Sequence, residues 1–420
     1  MNMKKLNELK PTDELYIYVY LFEEFKKIGI ILKEQQLETL NLGLFSKGTI
    51  DIEFSDEQLK NTIYNTEDDF KKDFCSILKN EENAIKFFQK IHNMEDDKEI
   101  RNKINILADT FAQERLEKIY KDVPEYFYKR QEEKINVEQV INNIWGHALD
   151  LYELLINTTI EITTNFNVSK LENFDDNFNL YDALGRLLGR GCLISNEILV
   201  LLKNGFADGA NARCRTLYET MVISTFLADK KLGGEDVSKS YLDYSIVNEK
   251  KEANLFNQFV AVLDEQKIDK SELLELNEDV EYLKKEYGDN LEKSDYNWAY
   301  TIKNTEKHNI SFTDLVKNVD FPQKRLFYKS ASNQIHTSSS SLYNHIALPN
   351  EQTGQILLGA SSYGIASPCF IASGFLNIIS LNLLFQEMQT IEQQIQMSLL
   401  FKIREDLLDT FDQIEKAMEK

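Results

Sequence analysis

The sequence predicts an all-α protein: a multi-helix bundle with a smaller, mostly helical N-terminal domain containing at most a short strand or hairpin. Three observations predict this class. The 420 residues include only 16 Gly and 5 Pro, too few for a turn-rich β-sandwich or a doubly wound α/β protein. Apolar residues recur at helical spacing through long segments rich in Leu, Ile, Lys, Glu and Asn. With 42% hydrophobic residues, the chain can also build a sizeable core.

The length favours two units. We assign residues 1–135 to an accessory helical domain and residues 136–420 to a helical core domain. In the accessory domain, Thr49–Phe54 alternates apolar and acidic side chains, which is typical of a short strand. Pro124 is expected to end a helix near the domain boundary.

Two features are predicted in the core domain beyond its main helices. A charge-dense stretch at about 264–295 is expected to form a solvated helical excursion. A long final helix is expected to run from about Ser367 to the C-terminus.

A helical hairpin at Leu184–Lys230 is the predicted centre of the fold. Its first arm carries an apolar stripe, and Asn204–Gly205 supplies a stop signal. Asp208 is placed to cap the second arm. From Met221 to Ala228 that arm is apolar or small on every side, which indicates burial all round.

Charges inside this hairpin are the first functional lead. Arg215 and Glu219 stand four positions apart in the second arm and share a helix face. A charge that enters a buried helix needs a partner. The pair is therefore either a core ion pair or the polar floor of a pocket. Arg213 lies on the opposite side of the helix from Arg215, so the two should not serve one site.

A second lead is a polar stripe on one predicted helix, formed by Arg325, Lys329, Ser332, His336 and Tyr343. His336 is suited to proton transfer near neutral pH. In a catalytic interpretation His336 is the general acid or base, Lys329 or Arg215 holds a phosphate, and Ser332 orients the imidazole. A hydrogen-bonded core histidine is the alternative.

No metal or cofactor is predicted. His345 is nine positions from His336, about half a turn away around a straight helix, so the two cannot chelate one ion. The sequence has no H-E-x-x-H motif and no Cys/His cluster. Ser338–Ser341 lacks the Gly-x-Ser-x-Gly elbow of a serine hydrolase.

The net charge of −21 bears on partners. Such a surface disfavours non-specific DNA binding, although a local basic pocket could hold RNA or a nucleotide. The four cysteines show no pairing pattern, as in a reduced cytosolic protein. The N-terminus makes a poor signal peptide, and Phe370–Phe385 falls short of the roughly 20 residues of a membrane span. We therefore expect a cytoplasmic protein without a membrane partner.

One pattern resembles a known family. Leu202 and Gly205 are followed by Ala210, Arg213, Arg215 and Glu219, and later by Tyr328, Ser332 and His336. This is similar to a family of bacterial helical proteins called domain of unknown function 5677, over roughly residues 136–385. The resemblance implies an all-helical core and no established chemistry, and it leaves residues 1–135 unaccounted for.

The segment before His336 also has a more distant resemblance to HEPN-type ribonucleases, which occur in toxins and phage-defence systems. Those enzymes place an arginine shortly before the histidine. Here Lys329 occupies that window and Arg325 lies too far upstream. The resemblance implies a site shared by two protomers, hence a homodimer or higher homo-oligomer.

Two functions follow as hypotheses. The first is a bacterial defence or toxin-type effector that cleaves RNA or acts on a nucleotide without a metal. The second is a non-catalytic helical sensor or scaffold that oligomerises or binds a protein partner. A third arrangement, with residues 1–135 as the effector, stays open.

Overall fold

A computed structural model shows ten α-helices and no strand among the residues it describes. These are residues 11–45, 52–55, 58, 98–172, 176–263, 266–302, 309–319, 339, 343, 345–349, 355–387 and 390–418. The helices are α1 Pro11–Lys27, α2 Glu34–Phe45, α3 Lys98–Glu172, α4 Phe178–Lys203, α5 Ala207–Ala228, α6 Glu235–Leu263, α7 Lys270–Tyr287, α8 Phe312–Asn318, α9 Ala366–Leu384 and α10 Ile391–Met418. The predicted all-α class is confirmed.

The chain divides into two compact units, Met1–Gln131 and Glu132–Lys420. Helix α3, 75 residues long, carries the chain from one unit into the other. Pro124 lies inside α3, so the prediction that it ends a helix is wrong. The helix is exposed around Pro124, and water can satisfy the carbonyl that loses its donor.

The first unit has a small core of its own. Phe25 on α1 stacks on Phe54, with ring centroids 6.4 Å apart. Ile52 and Phe54 are partly buried while Glu53 and Ser55 are exposed. The predicted alternation of side chains is therefore present, but residues 52–55 form no strand. Residues 49–51 lie outside the described part of the chain.

The second unit is organised around α4, α5 and α9, which make its most extensive contacts. Helix α4 ends at Lys203, and Gly205 follows with φ +80°, which confirms the predicted stop. The predicted cap of α5 is wrong. Phe206 occupies the N-cap, and Asp208 lies in the first turn with its carboxylate turned to another segment.

Helix α9 is almost entirely apolar, with a mean hydropathy of 1.5 over its most apolar window. By length and composition it could cross a membrane, and 61% of that window is buried inside the bundle.

The prediction of a single final helix is wrong, because this region forms two helices, α9 and α10. A short 3-10 turn at Phe385–Glu387 follows α9. Thr390 and Gln393 then cap α10 reciprocally: the Gln393 amide donates to the Thr390 hydroxyl at 3.2 Å, and the Thr390 amide donates to the Gln393 side chain at 3.1 Å. This capping box starts a new helix.

The charged stretch at about 264–295 forms α7 and a following 3-10 turn. It is not wholly solvated, because Leu276, Val280 and Leu283 are buried. Helix α7 packs on α6. At the edge of this contact Glu286 pairs with Lys239 of α6, and the Tyr287 hydroxyl donates to Asp243 of α6.

Candidate functional site

The predicted site residues divide into two groups. Arg215 and Glu219 lie in α5. Lys329, Ser332 and His336 lie outside the described residues, as do Arg325 and Tyr328. Their predicted convergence with α5 therefore stays a prediction.

Arg215 and Glu219 form an ion pair on the surface of α5. The Arg215 Nε donates to the Glu219 Oε1 at 3.3 Å, and the side chains are 19% and 31% exposed. The pair therefore lies at the solvent boundary and not deep in the core. Solvent can reach it, as a ligand-binding group requires.

Arg213 pairs with a different carboxylate. Its guanidinium lies 2.5 Å from the carboxylate of Glu197 on α4. This pair ties the two arms of the hairpin together on the other flank of α5. The predicted separation of Arg213 from Arg215 thus holds in the structure.

An imidazole–carboxylate pair that was not predicted from the sequence lies at the start of α5. The His345 Nδ1 lies 3.3 Å from Asp208 Oδ2, although 137 residues separate them. The amide of Ile346 donates to the other carboxylate oxygen of Asp208 at 3.0 Å. His345 and Asp208 are 24% and 20% exposed. A partly exposed histidine with a fixed carboxylate at one ring nitrogen is an arrangement suited to proton transfer.

The segment at 355–365, which approaches the turn after His345 through Gly364, is held from two sides. The amide of Ser361 donates to the carbonyl of Gly205 at 2.9 Å, and the Trp145 indole donates to the carbonyl of Ser362 at 2.9 Å. Gly364 has φ +75°, and a Cβ there would lie 2.3 Å from the carbonyl oxygen of Ile346. Only glycine fits that approach, so His345 is positioned by packing and not by Asp208 alone.

Asp208, Arg215 and Glu219 share one face of α5. Seven residues advance a helix by nearly two full turns, which places Arg215 about 10 Å along the axis from Asp208. We call this face, with His345, the α5 polar face. Lys329, Ser332 and His336 belong to the chain between α8, which packs on α5, and His345, which contacts it.

No sequence pattern marks the Asp208–His345 pair. Asp208 reads as an ordinary helix cap, and His345 lies far away in the chain. The sequence signals near Asp208 are the helix stop at Gly205 and an acidic residue in the first turn of the next helix. Both indicate a turn between helices, and neither indicates that a distant histidine contacts it.

Three of the four cysteines converge in the core, a feature that their spacing in the sequence does not indicate. Cys192, Cys214 and Cys369 lie around the buried Tyr152, and none forms a disulfide. Burial raises the pKa of Cys192 to about 11 and raises those of Cys214 and Cys369 further. These thiols stay protonated and are unsuited to nucleophilic chemistry.

One open groove lies beside this cluster. Its volume is about 190 Å³, and α3, α4 and α9 line it, with Thr163, Leu188 and Cys192 among the lining residues. It offers no charged group, so it lacks the chemistry of the α5 polar face. Within the described residues, no three His, Cys, Asp or Glu side chains could hold a metal ion.

Comparison with known proteins gives one family. Residues 181–353 match a Family of unknown function (DUF5677). The match is narrower than the range 136–385 suggested by the residue pattern, and it contains both Asp208 and His345. It supports the predicted similarity to an uncharacterised helical family and assigns no chemistry. No curated protein and no solved structure matches the chain.

Proposed function

We propose that this protein is a metal-independent effector that cleaves RNA or acts on a nucleotide, with its centre on the α5 polar face. The observation that carries the proposal is the contact between His345 and Asp208, 3.3 Å apart and partly exposed. A carboxylate at Nδ1 fixes the ring and its tautomer. With its proton on Nδ1, the imidazole keeps Nε2 as a base.

The reaction follows from these groups. RNA carries its own nucleophile, so cleavage needs a base for the ribose 2′-hydroxyl, an acid for the departing 5′-oxygen and a cation for the phosphate. His345 is the base, and Arg215 holds the phosphate. A guanidinium has five N–H donors, so Arg215 can bind Glu219 and a phosphate oxygen together.

His336, Lys329 and Ser332 complete the proposal. His336 supplies the second proton-transfer group, Lys329 adds charge at the phosphate, and Ser332 orients the His336 ring. The HEPN-like resemblance supports a bacterial toxin or defence setting and a homodimer or higher homo-oligomer. The cytoplasm is the compartment we propose.

Incubation of RNA with the protein in excess chelator tests this function. Wild-type protein should cleave, and His345→Ala and His336→Ala should each lose about 100-fold or more of the rate. His147→Ala is the control, because His147 lies exposed on α3. RNA that stays intact at high protein concentration, or an unimpaired His345→Ala variant, would refute the proposal.

A non-catalytic sensor or scaffold is the second candidate. The observation that favours it is the double attachment of Asp208, which holds both His345 and the Ile346 amide and so ties a distant loop to α5. On this account His345→Ala lowers the melting temperature, while no RNA is cleaved by any variant. A thermal melt beside the cleavage assay separates the two candidates.

A further inference from the structure

Arg404, in the middle of α10, is a half-buried arginine without a carboxylate among the described residues. Its Nε is buried and has no hydrogen-bond partner. The positions one turn away on α10 offer no acid; they are Leu400, Phe401, Leu407 and Leu408. Four other arginines each contact a carboxylate, and Arg404 differs from these four although the chain has 69 acidic residues.

The paired arginines show the difference. Arg115 bonds to Glu34, Arg186 to Asp182, Arg213 to Glu197 and Arg215 to Glu219. Each of these charges is balanced by a neighbour. Burial without such a neighbour lowers the pKa of Arg404 below its ordinary value, because desolvation disfavours the charged form.

The guanidinium of Arg404 is nevertheless held in a defined place. It lies over the ring of Phe370 on α9, 5.6 Å from the ring centre. Its Nη2 is 3.1 Å from the point where a Cβ on Gly374 would lie. The missing side chain at Gly374 lets the guanidinium lie against α9.

Two partly exposed aromatic side chains accompany Arg404. Phe370 is 52% exposed although Arg404 covers one part of it, and Phe401, three residues before Arg404, is 46% exposed. An arginine beside accessible aromatic rings combines an anion-binding fork with a stacking surface.

We propose that Arg404, Phe370 and Gly374 form a binding site for a nucleotide, with the phosphate at Arg404 and the base against the exposed aromatic rings. A phosphate or a carboxylate matches the planar guanidinium fork, and the exposed rings favour a ligand that also carries a flat base. The site requires no catalysis, so it does not depend on the α5 polar face.

Calorimetric titration with AMP, adenosine and inorganic phosphate tests the site. AMP should bind wild-type protein more tightly than either fragment, because it engages both parts of the site. Arg404→Met keeps the packing on Phe370 and should weaken AMP binding at least about tenfold, the value of one charge-assisted hydrogen bond. The control Arg186→Met removes an exposed guanidinium paired with Asp182 and should bind AMP as wild type does.

Three results would overturn the proposal: no AMP binding to wild type, equal AMP binding by Arg404→Met, or binding of phosphate as tight as AMP. The melting temperature of the unliganded variant adds an independent readout. Removal of an unbalanced charge should leave it unchanged or raise it, whereas a purely structural arginine would lower it. His345→Ala should bind AMP normally, so this site and the proposed cleavage can fail separately.

Discussion

Two charged regions of the second unit differ in how their charges are balanced. Along α6 and α7, lysines bridge carboxylates of neighbouring elements: Lys239 contacts Asp243 and Glu286, while Lys250 and Lys284 both contact Glu292. On the α5 polar face, by contrast, a histidine shares one carboxylate with a backbone amide.

This contrast shows that a dense set of charges can serve to link helices and need not indicate a site for chemistry. In the α6–α7 network, the Lys239 ammonium donates hydrogen bonds to Glu286 and Tyr287, and these raise the pKa of Lys239, so its ammonium stays in the charged form. Such a group cannot exchange a proton near neutral pH. His345 instead places an imidazole against a single carboxylate, with its Nδ1 3.3 Å from Asp208 Oδ2.

The largest stability effect is expected at Gly364, which supports the α5 polar face. Gly364→Ala adds a Cβ at φ +75° within 2.3 Å of a carbonyl oxygen and should cost about 3 kcal/mol or more. Gly234→Ala is the matched control, since Gly234 has φ +88° but no atom within 4 Å of its Cβ position. Chemical denaturation measures both, and equal losses would show that Gly364 is not tightly packed against Ile346.

A smaller effect is expected in the network at Glu292. Glu292→Gln leaves two lysines without their shared carboxylate and should lower the free energy of unfolding by about 1–2 kcal/mol, because the groups are partly exposed and solvent screens them. Cleavage of RNA should not change. Slower RNA cleavage by Glu292→Gln would mean that the α6–α7 network belongs to the proposed site.

The lowered pKa of Glu292 also predicts that the stability of the fold depends on pH. Burial raises the pKa of Glu292, but Lys250 and Lys284 offset this, and the net pKa lies below its ordinary value. A lowered carboxyl pKa stabilises the fold above the unfolded-state value of about 4.3 and loses that contribution as the pH falls through the folded-state value. Melts from pH 6 to about pH 3 should therefore decline more steeply for wild type than for Glu292→Gln. Parallel curves would contradict this assignment.

The smallest effect is expected at Glu219. Its pairing with Arg215 is partly exposed, so Glu219→Ala should lower the free energy of unfolding by only about 1 kcal/mol. A loss near 3 kcal/mol, the value for a fully buried pair, would show that the pair is a structural element of the core.

The sequence predicts helices better than it predicts their ends and partners. Periodicity locates α4 and α5, and Gly205 marks the turn between them. Pro124 misleads because an exposed helix tolerates proline, a property of the surroundings and not of the residue. The break before α10 did carry a local signal, the Thr390–Gln393 capping box, which lies inside an apparently continuous helical pattern.

The candidate site was less accessible to sequence reasoning. Arg215 and Glu219 are four residues apart, so their contact follows from helix geometry. Asp208 and His345 meet only because the segment around Gly364 folds back on the α4–α5 turn, and no local periodicity encodes that contact. Arg404 likewise could not be singled out from the sequence, because only the structure shows that no carboxylate of the described residues pairs with it.

The proposed centre at Asp208 and His345 is tested by comparing Asp208→Asn with Glu292→Gln in one chelator-treated RNA cleavage assay, with a thermal melt of each. Asparagine can still accept the Ile346 amide but does not hold the imidazole as a carboxylate does. We expect Asp208→Asn to lose about 100-fold of the cleavage rate with little change in melting temperature, and Glu292→Gln to melt at a lower temperature while cleaving at the full rate. An Asp208→Asn variant that cleaves RNA as fast as wild type would contradict this expectation.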